Sequence, residues 1–267
     1  GGEESDSAAR ALASINPDKA FDLMKKSLKS TKTRKSAACG LGWLGRKECV
    51  DNLCQYLNTK DWETLIKIIS TLGEIGDKRA VGPLEDRLKA CFKYKKQFFW
   101  CKVAEGNVNI RFYTVSALEE LNDPSCVSTL AEVLECEMDA LTHWAGSFSG
   151  EMIDSLLGAI MHFADRIDSD NIDNVAYSVI KIFNETEVNV RIHWDERIMY
   201  AANALGKLGS KNALPHLERR LKEFEAGDFE NPDYRVFTIQ ARPTPSTELP
   251  EWLLDAVRTA INEIKKQ

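Results

Sequence analysis

The stretch TLGEIGDKRAVGPLEDRL, Thr71–Leu88, decides how this chain is read. Leu72 and Ile75 sit one helical turn apart, and Gly76 follows them. Polar Asp77, Lys78 and Arg79 come next, and then Val81, Leu84 and Leu88 recur at i, i+3 and i+7. A glycine just past an apolar turn can end a helix in the left-handed conformation. Apolar spacing of three and four is one face of a second helix. The stretch therefore predicts a helix, a tight turn and another helix. One such pair cannot bury its own apolar stripe, whereas stacked copies can.

Copies are present. ALASINPDKAFDLMKKSL begins at Ala11, GLGWLGRKECVDNLCQYL at Gly40, ALEELNDPSCVSTLAEVL at Ala117 and ALGKLGSKNALPHLERRL at Ala204. All share a Leu anchor, an apolar residue three further on, a Gly or Asn, and a later stripe closed by Leu. The anchors are Leu12, Leu41, Leu72, Leu118 and Leu205, separated by 29, 31, 46 and 87 residues. The last gap spans about two units, and Ile160, in LLGAIMHFADRIDSDNIDNVAYSVIKIF, anchors the unit between. The second helices carry the stripes Val50/Leu53/Leu57, Val81/Leu84/Leu88, Val127/Leu130/Leu134 and Leu214/Leu217/Leu221. Nothing alternates with period two over a useful length, so no sheet is expected.

These units resemble the HEAT-like repeats of the phycobilisome-lyase type. Arg34 with Ala37 and Gly42, and Arg111 with Ala117, match the first-helix features of that repeat, and GEIGDKRAVGPLEDRL and ALGKLGSKNALPHLERRL match its overall pattern. The resemblance implies an all-α fold, an α/α superhelix of about six helix pairs over residues 5–225. It says little about function, because such repeats serve many roles. An insertion at 90–107 accounts for the 46-residue spacing. Residues 226–249 read as a Pro-rich loop. Residues 250–267 read as a C-terminal capping helix with Trp252, Leu253, Val257, Ile261 and Ile264 on one face. The whole is expected to be a single domain.

Bulk properties narrow the function classes. The net charge is −6 and the pI about 5.4. Between Lys19 and Lys102 there are 19 Lys/Arg against 9 Asp/Glu; between Glu119 and Asn174 there are 13 Asp/Glu against one Arg. This reads either as clustering on solvated faces or as a molecule whose two halves attract different partners. Such an acidic second half would repel phosphate, so nucleic acid is not the expected partner. No run of 18 apolar residues exists, and the start GGEESDSAAR is not a signal peptide, so no membrane association is expected. Seven scattered cysteines without a CxxC read as reduced structural thiols in a cytoplasmic protein, with no metal site.

Enzymes with HEAT-like repeats offer concrete templates. Di-iron hydroxylases of this kind carry His-Glu pairs, but the four histidines here occur as THW, MHF, IHW and PHL. Repeat-built DNA glycosylases use a continuous basic face, which this chain lacks. Bilin lyases and isomerases share the repeat subclass. A chromophore-handling subunit is therefore the rival reading, and Cys136, Asp139, His143-Trp144 and His193-Trp194-Asp195 are its candidate residues. No nucleophile elbow, phosphate loop or dinucleotide fingerprint occurs, and no catalytic residue or cofactor is assigned.

Function in such arrays usually lives on the concave face lined by second helices. Positions two and five after each stripe's first residue should point outward there: Asn52 and Gln55, Pro83 and Asp86, Thr129 and Glu132, His216 and Arg219. That set is polar and mixed in sign, as protein-recognition surfaces are, and it does not suit a small-molecule pocket. The insertion holds CFKYKKQFFWCK at 91–102. Lys93, Lys95, Lys96, Phe98, Phe99 and Trp100 form either an aromatic wedge between units or a basic-aromatic arm for an acidic partner. A second irregular stretch is ALTHWAGSFSGE at 140–151. The expected function is non-enzymatic protein–protein interaction.

Overall fold

The structure, a computed structural model, describes residues 2–93, 103–143, 147–184, 194–226 and 250–267. Among the described residues the chain forms thirteen α-helices and no strand. The fold class is all-α, with helix pairs stacked in the α/α superhelical manner, and it divides into two compact units, Gly1–Cys126 and Val127–Gln267.

In the first unit the leading helices of successive repeats are α1 (Gly2–Ile15), α3 (Arg34–Leu44), α5 (Trp62–Ile75) and α7 (Val103–Leu121), each packed on the next. The second helices α2 (Pro17–Ser27), α4 (Val50–Cys54) and α6 (Val81–Lys93) lie beside them. Anchors Leu41, Leu72 and Leu118 are fully buried, as are Leu53, Leu84 and Leu88 of the second-helix stripes. In the second unit α9 (Ser147–Phe163), α11 (Trp194–Leu208) and α13 (Glu251–Lys266) form one ladder, and α8 (Val127–His143), α10 (Ser169–Asn184) and α12 (Leu214–Ala226) form the other. Ile160 and Leu205 are buried at its centre.

The turn chemistry follows the motif. Gly45, Gly76 and Gly209 have φ of +59°, +68° and +68°, and Asn122 holds the same left-handed place at +54°. Asn tolerates this region because its short side chain can bond locally. A single turn of 3-10 helix, at Lys47–Cys49, Lys78–Ala80, Pro124–Cys126 and Lys211–Ala213, then starts each second helix. Two units solve the turn differently. Asn16, at φ −148° and ψ 88°, caps α2, its Oδ1 accepting from the backbone N–H of Lys19 at 3.0 Å, with Pro17 opening the helix. After α9 a 3-10 turn at Ala164–Arg166 leads through extended Ile167.

The first-helix glycines set the spacing of the ladders. A Cβ on Gly73 would lie 3.0 Å from Cα of Ala117, and one on Gly206 would lie 2.9 Å from Cα of Ala260. Backbone therefore meets backbone where α5 crosses α7 and where α11 crosses α13. The repeat's arginine has a structural task as well: Arg34 Nε donates to the carbonyl of Leu28 at 2.8 Å, satisfying the end of α2, while its guanidinium lies 4.3 Å from the Tyr56 ring centroid.

Several expectations need correction. Trp252 was placed on the buried face of the last helix, but it is 43% exposed. The buried stripe is Leu253, Val257, Ala260, Ile261 and Ile264, and Trp252 lies about 100° away from Leu253 around the axis. Leu214 and Leu221 are only half-buried; Leu217, Arg220 and Phe224 fill the interior of α12 instead. Helix also extends into both irregular stretches. α6 continues to Lys93 and α7 begins at Val103, while α8 reaches His143 and α9 starts at Ser147.

Candidate interaction surface

The expected outward residues fall on the second helices, but not uniformly. On α4 and its C-terminal flank, Asn52 is half-buried and Gln55 exposed; on α6, Pro83 is half-buried and Asp86 exposed. On α8, Glu132 is exposed but Thr129 is not: it is only 4% exposed, against the expectation that it points outward. The reason is that α8 packs against both α9 and α10, so its apolar arc widens to Leu130, Ala131, Val133, Leu134 and Met138 and takes Thr129 inside. Lys93 is the last residue of α6. Lys95, Lys96, Phe98, Phe99 and Trp100 lie outside the described residues.

The structure brings His216 and Arg219 together through a residue the spacing rule had not selected. Asn184, at the end of α10, accepts from Arg219 Nη2 at its Oδ1, 3.0 Å away. Its Nδ2 therefore donates to His216 Nδ1 at 2.9 Å. In that orientation of the amide, His216 Nδ1 is the acceptor of the pair. Arg219 also lies 3.7 Å from Glu223.

One face of α10 links both neighbours. Tyr177, Lys181 and Asn184 follow at i, i+4 and i+7. Lys181 sits 3.8 Å from Glu135 of α8, and Ser178 Oγ donates to the same carboxylate at 2.6 Å. Tyr177, one turn earlier, is 66% exposed. The surface thus runs from acidic Glu132 and Glu135 on α8, over Tyr177 and Lys181 on α10, to His216 and Arg219 on α12. The repeat anchored at Ile160 lacks the Gly turn, so the rule of two and five fixes no outward register for α10.

In the first unit the charged residues near the second-helix starts bind each other. Arg46 pairs with Asp18. Arg79 Nη1 meets Asp51 at 2.8 Å, its Nη2 donates to the Lys47 carbonyl at 2.7 Å, and it holds Asp77 at 3.0 Å. The Arg79 side chain and backbone N–H keep the Asp77 carboxyl below its usual range. Lys78 pairs with Asp123 at 3.2 Å, whose carboxyl is lowered chiefly by the backbone N–H of Ser125. Each of these cations ties one repeat to another and is thereby partly neutralised.

Among the described residues no group of His, Cys, Asp and Glu is arranged to hold a metal ion, and no helix is long and apolar enough to cross a membrane. Burial pushes the thiols of Cys49 and Cys54 up to about 11 and that of Cys126 up to about 12, which suppresses thiolate chemistry there. Of the rival reading's candidates, Cys136 is exposed on α8, while Trp144 and His193 lie outside the described residues.

The left-handed glycine turns, the ladders of first helices and the arginine closing a preceding helix define a stacked helix-pair protein. Comparison agrees at the level of the repeat. Residues 28–93 match the family model for HEAT repeats, and residues 199–223 match that for the PBS lyase HEAT-like repeat. The chain is a HEAT-like repeat protein. No curated protein sequence matches it significantly. Among solved structures it is similar to a chain of the complex of CpcE and CpcF of phycocyanin lyase from Nostoc sp. PCC7120. The identity is 13% over 97% of this chain and 88% of that one, with a TM-score of 0.43.

Proposed function

We propose that this protein is a non-enzymatic recognition module that binds a protein partner on the second-helix face of α8, α10 and α12, with the 90–107 insertion as a further contact. The observation that carries this reading is Tyr177. A large aromatic at 66% exposure stands on one face of α10, flanked by side chains already fixed by the Glu135–Lys181 and Asn184–His216–Arg219 interactions. Exposed Tyr and Arg on a preorganised polar surface are the residues that dominate protein interfaces when buried by a partner. Glu132 belongs to the same surface as a rim position, and Asn52, Gln55 and Asp86, on the second helices of the first unit, are proposed as a separate contact.

The test is capture from native lysate by the tagged chain, with Tyr177→Ala and Arg219→Ala as variants. The wild type should retain a stoichiometric partner, and the double variant should lose it with an unchanged melting temperature. Failure of the wild type to retain any partner sinks the reading. The PBS lyase HEAT-like match at 199–223 motivates a second reading, a chromophore-handling subunit. Under that reading, co-expression with a bilin should colour the purified protein; under recognition alone it should stay colourless.

A further inference from the structure

Several described cations of the first unit have partners within it. Arg34 closes α2, Lys35 meets Glu63 at 2.6 Å, Arg46 meets Asp18, and Arg79 meets Asp51 and Asp77. A group on α2 and the turn after it differs. Lys19, Lys25, Lys26, Lys29 and Lys32 are all exposed, and none forms an ion pair among the described residues. Within Lys19–Lys32 the single acidic residue is Asp22. Two apolar side chains are exposed nearby along the chain: Ile15, 81% exposed at the end of α1, and Leu23, 43% exposed on α2. Unbalanced lysines with exposed aliphatic side chains fit a partner that is acidic and partly apolar.

The same chain carries a segment of that chemistry. Asp165, Asp168 and Asp170, at the passage from α9 into α10, are exposed and form no ion pair among the described residues. The cation within this passage, Arg166, lies 5.2 Å from the ring centroid of Phe163. Half-buried Ile172 follows along α10.

We propose that the lysine face of α2 docks the acidic start of α10 of a second copy, so that the protein self-associates through two unlike faces. Opposite charges brought into contact lie closer together than the diffuse charges of the remaining surface, so the local match of lysines to aspartates outweighs the net charge of −6 that each copy carries. A phosphate backbone supplies no counterpart for Ile15 and Leu23, and two aliphatic side chains are too few to seat the surface in a bilayer. This contact is independent of the recognition face proposed above, and its failure leaves that reading intact.

Sedimentation velocity over a concentration series tests it. At low salt, where screening extends to roughly 30 Å, the wild type should sediment above the 30.0 kDa of one chain and return to monomer as salt is raised. Two charge reversals, K25E/K26E/K29E and D165K/D168K/D170K, should each be monomeric at low salt with unchanged helical content. Mixed in equal amounts they should associate again, because the first keeps the natural acidic face and the second the natural lysine face. A wild type that stays monomeric at low salt overturns the proposal without reference to any variant. So does association that survives both reversals, or a folded mixture that remains monomeric. Binding to phosphatidylserine vesicles or to a DNA duplex by a monomeric wild type would assign the lysines to a different occupant and overturn it equally.

Discussion

The two units follow one repeat pattern and hold their second helices differently. In the first, α2, α4 and α6 are joined near their starts by exposed ion pairs, Asp18–Arg46 and Asp51–Arg79. In the second, α8, α10 and α12 pack directly and polar groups sit further inside: Ser178 of α10 against Glu135 of α8, Ser210 Oγ of the turn before α12 on Asp173 at 2.6 Å and, between the first helices α9 and α11, buried Arg197 on Asp154 at 3.3 Å. The difference teaches where sequence variation is tolerated. Exposed pairs are screened by water and salt, so their loss changes little. A buried cation deprived of its carboxylate keeps the whole desolvation penalty.

The largest expected effect comes from that contrast. Asp154→Ala should lower stability by about 3 kcal/mol, because it strands the Arg197 guanidinium away from water. Asp51→Ala, which removes an exposed partner of Arg79, should shift the denaturant midpoint little, and only at low salt. Urea unfolding of both variants measures the difference. Equal effects would erase the distinction between the units.

A smaller and opposite pair of effects concerns glycine within the second unit. Gly206→Ala pushes a methyl group into the backbone of Ala260, 2.9 Å away, and should destabilise by about 1–2 kcal/mol despite the better helix propensity of alanine. Gly158, in the interior of α9, would have no neighbour within 4 Å of a new Cβ. Gly158→Ala should therefore stabilise by about 0.5–1 kcal/mol. Thermal melts of the two variants should move in opposite directions. A gain from Gly206→Ala would mean that α11 and α13 are not held this closely.

This glycine contact also marks what was legible in the sequence. The Gly45, Gly76 and Gly209 turns and the buried anchors could be read directly, because a local φ requirement and a 3.6-residue period leave a local imprint. The place of α13 was also written there, as AINEI at 260–264, which repeats ALEEL at 117–121 and TLGEI at 71–75. Ala260 meets Gly206 as Ala117 meets Gly73, so α13 packs as another first helix. Thr129 and Asn184 were not legible. Burial of Thr129 depends on α8 touching two helices at once, and the role of Asn184 depends on the approach of α12, both set by packing between repeats. The second-helix rule of two and five holds only where one side of the helix is covered.

The smallest effect isolates one carboxylate. Glu120 lies over Gly73 and near Glu74, and its carboxyl is raised above the ordinary value, first by partial burial and then by the Glu74 charge. A carboxyl raised in the folded state binds its proton more tightly there than in the unfolded chain. Its ionised form therefore costs stability at pH 7, and that cost is relieved as pH falls through the raised value. Asp77 and Asp123 act in the opposite sense: lowered in the folded state, they contribute stability at neutral pH that is lost on acidification. Comparing Glu120→Gln with the wild type cancels those shared losses. The variant should be the more stable protein at pH 7, and its advantage should shrink steadily as pH is lowered toward the ordinary glutamate value of 4.5. An advantage that stays constant across that range would have to come from packing against Gly73, and the electrostatic account of this contact would fail.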